Sequence, residues 1–127
     1  MTKVLCVEDD FFIADIYERT LKKAGYDVTV ISDGSDVVQT VKESVYDVVL
    51  LDIMLPNKNG VEILEALRGK DGSGLPLTKI IVTTNFNEPP EDRAHIEKLA
   101  DGYLIKADVT PTNLIELIKQ VLQDPTK

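Results

Sequence analysis

The chain has 127 residues, enough to bury one core, and its 43% hydrophobic and 28% charged side chains are the balance of a globular domain, not of a disordered or fibrous chain. A formal charge of −8 argues against a nucleic-acid surface, which needs Lys and Arg for the phosphates, and a sequence-specific DNA reader would also need a module of its own, for which 127 residues leave no room. Its one cysteine, Cys6, lies in an apolar run and excludes an intrachain disulfide; without a basic-then-apolar leader or a membrane-length apolar run, the expectation is a cytoplasmic protein with no membrane association.

Two periodicities alternate along the chain. The run 3–7 (KVLCV) is short and apolar, as expected of a strand covered on both faces. Ile13, Ile16, Tyr17, Leu21 and Ala24 then recur at helical spacing, and Gly25 stops that helix. Residues 27–31 (DVTVI) form a second strand, and Val37, Val38 and Val41 mark a helix started by the turn at Ser32–Ser35. The third strand, 47–51 (DVVLL), is the most apolar; Asn59 caps a helix with Val61, Leu64 and Leu67 on its inner face. Residues 79–83 (KIIVT) form a fourth strand, and Pro89 and Pro90 open a fourth helix, since a first-turn residue needs no N–H. That helix runs to about Ala100 with a thin stripe of Ala94, Ile96, Leu99 and Ala100. A short fifth strand, 103–105 (YLI), precedes Thr110 as N-cap, Pro111 in the first turn, and Leu114, Ile115, Leu117, Ile118, Val121 and Leu122 on an amphipathic last helix.

The pattern is (βα) five times, an α/β domain whose parallel sheet carries helices on both faces through right-handed crossovers. The Gly-rich stretch 68–78 fails the phosphate-loop spacing and enters a strand instead of leaving one, so it reads as a flexible connection.

In such a sheet ligands bind beyond the carboxyl ends of the strands. Glu8, Asp9 and Asp10 stand at the first such end, Asp52 at the third, Thr83, Thr84 and Asn85 at the fourth, and Lys106 at the fifth. Each has an ordinary explanation alone: Asp10 as a helix cap, Thr as a strand end, Lys as a solvated loop residue. Their conjunction on one edge is different. Carboxylates brought together repel unless a cation joins them, and an all-oxygen set without nearby His or Cys suits Mg²⁺. The lone His95 lies on the polar fourth helix and reads as a surface residue. Acid, Mg²⁺, hydroxyl and Lys are the parts of phosphoryl transfer, in which a carboxylate is itself able to be the nucleophile.

At this point VLCVEDD, LLDIMLPNKNG, IIVTTN and DGYLIKAD, in order and at family-like spacing, resemble the receiver domain of two-component response regulators, of the single-domain chemotaxis type. The resemblance covers essentially the whole chain and implies a flavodoxin-like, doubly wound five-stranded sheet of order 2-1-3-4-5, with 1–127 a single receiver domain without an output domain. It implies that Asp52 accepts a phosphoryl group from a histidine kinase or phosphotransfer protein. Mg²⁺ (or Mn²⁺) would be held by Glu8 through water, by Asp9 and Asp52, and by the backbone carbonyl of Met54. Thr84 aligns with the switch hydroxyl, with Thr83 a competitor; Lys106 would pair with the phosphoryl group, and Tyr103 looks like the aromatic that turns inward. The face of helix four, strand five and helix five would then meet a downstream protein, the chain being a monomer or weak homodimer and no enzyme beyond its own phosphorylation and dephosphorylation.

Two positions depart from the family pattern, and two more bear on its dephosphorylation. Ala107 follows Lys106 where the family usually has a cis Pro, and the cost of a non-proline cis bond, about 2.5–4 kcal/mol, favours trans. Asn85 replaces a small residue after Thr84. Met54 and Phe86 are both apolar at positions that in the family modulate dephosphorylation, which implies a slowly decaying phosphoryl group. Two competing readings remain: a pseudo-receiver that binds partners without phosphorylation, disfavoured by the intact acid, Thr and Lys set, and an aspartyl-phosphate hydrolase, disfavoured because Asp52-Ile53-Met54 lacks the second acid of D-x-D.

Overall fold

The computed structural model describes residues 2–55, 59–69, 74–75, 77–85 and 90–123, with 90–92 described by their backbone. The elements are β1 (Lys3–Val7), α1 (Phe11–Lys23), β2 (Asp27–Ile31), α2 (Val37–Glu43), β3 (Val48–Asp52), α3 (Gly60–Arg68), β4 (Lys79–Thr84), α4 (Pro90–Leu99), β5 (Gly102–Ile105) and α5 (Pro111–Gln123). Single 3-10 turns lead into α2 (Gly34–Asp36) and follow β5 (Lys106–Asp108). The strands form one parallel sheet in the order β2-β1-β3-β4-β5, as expected.

Alternation along the strands divides the core in two. Leu5, Val7, Val49, Leu51, Ile80 and Val82 pack on one face against the buried sides of α2, α3 and α4. Val4, Cys6, Val48, Leu50, Ile81 and Leu104 pack on the other against Tyr17 and Leu21 of α1 and Leu114, Ile118 and Val121 of α5. All five residues of β3 are buried, which is why that strand reads as an unbroken apolar run.

Local signals mark the helix ends. Asp10 Oδ1 accepts from the Phe12 and Ile13 amides, Asn59 Oδ1 from Val61 N, and Thr110 Oγ1 from Asn113 N, so all three serve as N-caps. After α1, Gly25 takes φ +96°, a left-handed turn that suits glycine.

The helical stripes differ from expectation at several positions. Ile16 is 53% exposed, Ala14 takes the buried place beside Tyr17, and Ala24 is exposed. Ala94 and Leu122 also face outward, while Ile63 is fully buried in α3. Spacing of three or four residues marks a stripe, but where a helix docks decides which flank of it is covered. The expected role of Pro89 lies outside the described residues, as do Lys70–Ser73 and Pro76 of the Gly-rich connection.

Candidate functional site

The carboxyl ends of β1, β3 and β5 bring together Glu8, Asp9, Asp52 and Lys106. The register places Asp52 as the last residue of β3, opposite Thr83 of β4, and the Ile53 amide donates to the Thr83 carbonyl at 3.0 Å. Asp52 is 1% exposed and Glu8 2% exposed. Lys106 Nζ lies 2.7 Å from Glu8 Oε2 and 2.9 Å from Asp52 Oδ2, so one ammonium bridges two buried carboxylates on separate strands. Asp52 Oδ1 accepts from the Met54 amide at 2.9 Å, which fixes the carboxylate at its second oxygen.

Ligand oxygens of Glu8, Asp9 and Asp52 all lie within 4.8 Å of one another. Asp9 is exposed, whereas Glu8 Oε2 is fully buried against the Lys106 ammonium. Three carboxylates with oxygen donors only, Asp9 among them open to solvent, fit a hard divalent cation such as Mg²⁺ or Mn²⁺. Burial pushes the Glu8 carboxyl up to about 7; Lys106 pulls it down and the Asp52 charge pushes it up further. For Lys106, burial works against the charge, but the pairs with Glu8 and Asp52 outweigh it and hold the ammonium above its ordinary range. Beneath the site Cys6 is fully buried, and burial, with Glu8 next, pushes its thiol up to about 12, which makes it a core residue and a poor nucleophile.

Two further expected residues, Thr84 and Tyr103, sit on the opposite face. Thr84 follows Val82 in the alternation and is fully buried, whereas Thr83 shares the face of Ile81 and Asp52. Tyr103 pairs with Val82 and packs half-buried on the Thr84 side. Thr84 therefore shares its face with Tyr103, and Thr83 its face with Asp52. The Lys106–Ala107 peptide is trans, and Lys106–Asp108 make a 3-10 turn. Asn85 is exposed and Met54 49% exposed, while Phe86 lies outside the described residues. His95 is exposed, with Nε2 3.2 Å from Glu65 Oε2.

Sequence reasoning missed two features. Phe11 and Phe12, 85% and 84% exposed, open α1 immediately after the acidic turn, outside its apolar stripe. Arg68, at the edge of the Gly-rich connection, is buried. Its Nη2 meets Asp101 Oδ2 at 2.5 Å, and its other nitrogens donate to the carbonyls of Leu99, Gly74 and Leu75. Asp101 Oδ2 also accepts from Ile80 N, so the pair ties α3, the end of α4 and the starts of β4 and β5. An Arg ending a helix beside glycines carries no local sign of burial.

The response regulator receiver domain family matches residues 4–119. The chain is 34% identical over 121 residues to the response regulator ArlR of Staphylococcus saprophyticus, covering 95% of this chain and 51% of that protein, so it spans about half the length of this relative. It superposes on the chemotaxis response regulator CheY4 of Vibrio cholerae with a TM-score of 0.84 at 30% identity, covering 96% of this chain and 99% of that one. It also superposes on the BeF3-activated N-terminal receiver domain of Klebsiella pneumoniae RstA with a TM-score of 0.82 at 28% identity, covering 97% and 100%. Sheet order, site edge and family match agree: the chain belongs to the response regulator receiver domain family.

Proposed function

We propose that this receiver domain signals by accepting a phosphoryl group on Asp52 from the phosphohistidine of a partner kinase or phosphotransfer protein. The observation that carries the reading is the bridge from Lys106 to both Asp52 and Glu8 at the strand ends, with Asp9 beside them. An Asp52 carboxylate oxygen forms the new P–O bond as the P–N bond to the donor imidazole breaks, and the imidazole keeps the electron pair and takes a proton. Lys106 moves from carboxylate to phosphoryl oxygen, so its charge stays neutralised while the transferred group's charge is met. The Met54 amide holds Asp52 Oδ1 in place meanwhile. Glu8, Asp9, Asp52 and the Met54 carbonyl would hold Mg²⁺, which when bound supplies a Lewis acid for the phosphoryl oxygens.

The two hydroxyls divide the switch positions between them: Thr83 shares the face of Asp52 and is placed to meet a phosphoryl oxygen there, while Thr84, the hydroxyl the family alignment gives, lies on the face of Tyr103, where its movement vacates space beside that ring. The face of α4, β5 and α5 then changes its affinity for a downstream protein as a population shift. Incubation with Mg²⁺ and a small phosphodonor, followed by intact mass, tests the reading. A phosphate-sized gain absent from Asp52→Asn is expected. No gain in the native chain would reject phosphorylation in favour of constitutive partner binding.

A further inference from the structure

On the outer side of the same face, the Arg93 guanidinium carbon lies 4.4 Å from the centroid of the Tyr103 ring. A cation within about 6 Å over a tyrosine face is attracted by the ring quadrupole. One turn along α4, Glu97 Oε1 accepts from Arg93 Nε at 3.0 Å, so the guanidinium is held at its edge as well as over the ring. Two open grooves, of about 340 Å³ and 270 Å³, meet here, and Arg93 and Tyr103 line both. The first lies against Glu97, Ala100 and Gly102; the second against Ile105, Asn113 and Leu117. The stacked pair is the wall between them. The helix that carries Arg93 is weakly anchored: among its described side chains, Ile96 and Leu99 are the buried ones.

We propose that Arg93 is a latch on Tyr103. Stacking holds the ring half-buried and keeps the face divided. When Arg93 lets go, the ring turns inward toward Thr84 and the two grooves join into one trough across α4, β5 and α5. The latch thus gives the proposed output face two shapes, and to that extent it rests on the signalling reading above. A contact that the ring makes in one position alone sets the ratio between its positions.

The test uses the full chain, metal-free and without phosphodonor, with ring-¹³C tyrosine and the Tyr103 signal assigned through Tyr103→Phe. Relaxation dispersion reads the exchange of the ring and the population of its inward position. Arg93→Ala and Arg93→Gln are expected to raise that population about two- to fivefold, and Arg93→Lys less, because a cation remains. Glu97→Gln is expected to fall between native and Arg93→Ala. Thermal melts establish that each variant is folded; Arg93→Gln keeps a long polar stem if Arg93→Ala is poorly folded. Unchanged Tyr103 exchange in folded Arg93→Gln overturns the latch. Since no phosphoryl group is present, failure of Asp52 to become phosphorylated leaves this result standing. Normal phosphorylation with an unmoved Tyr103 rejects the latch alone.

Discussion

Lys106→Met removes the ammonium while keeping most of the side-chain volume, and leaves Glu8 and Asp52 facing each other. At separations of 2.7 and 2.9 Å, each ion pair has a gross Coulomb energy of about 6 kcal/mol at an effective dielectric of 20. Desolvation of three buried charges offsets much of this, and removing one partner of a buried pair typically costs about 3–5 kcal/mol. The cost depends on pH because Glu8 has another way to lose its charge. Its carboxyl is raised from 4.5 to about 7, so the folded state binds the proton more tightly than the unfolded state does. That contribution is fully present below pH 4.5 and is lost as pH rises through about 7; the shift spans about 3 kcal/mol. The raised Lys106 affects stability only near and above its ordinary range, outside this window. Urea unfolding in a chelating buffer is therefore expected to show Lys106→Met destabilised by about 3–5 kcal/mol at pH 8 and by clearly less at pH 5. Adding Glu8→Gln removes the second charge and should recover more than half of the loss at pH 8. Equal losses at both pH values, or a double variant no more stable than Lys106→Met, would refute the charge bridge as the organiser of this site.

Arg68→Met is expected to cost about 3–5 kcal/mol in urea midpoint measurements, because Asp101 stays buried without its partner and three carbonyls lose a donor. Gly60→Ala places a methyl 2.4 Å from Ile53 Cα and 2.8 Å from the Asp52 carbonyl oxygen, both backbone. The start of α3 must retreat from the end of β3, at about 1–3 kcal/mol, and amide shifts at Ile53 and Met54 in a two-dimensional NMR spectrum check it. Met54, half-exposed beside Asp52, has no polar group to hold an attacking water. Met54→Asn should shorten the phosphoryl lifetime in a decay assay, and equal lifetimes would reject a role for the residue.

Much of the fold was legible because buried parallel strands have no polar side. The runs at Lys3–Val7 and Val48–Asp52 announce themselves, and the polar residues that end them mark one edge of the sheet. The caps at Asp10, Asn59 and Thr110 were legible for the same local reason: cap and amide are two or three residues apart. Strand ends that share an edge already implied that Glu8, Asp9, Asp52 and Lys106 meet. Tertiary structure decided what no window of sequence contains. Lys106 reaches Asp52 across 54 positions, and Arg68 reaches Asp101 across 33. It also turned Ile16 outward, buried Ala14, and set Arg93 over Tyr103. Hydrophobic period and capping are properties of neighbours along the chain. Which flank of a stripe is covered, and which charge finds which partner, depend on where helices dock on a sheet whose strands come from distant parts of that chain.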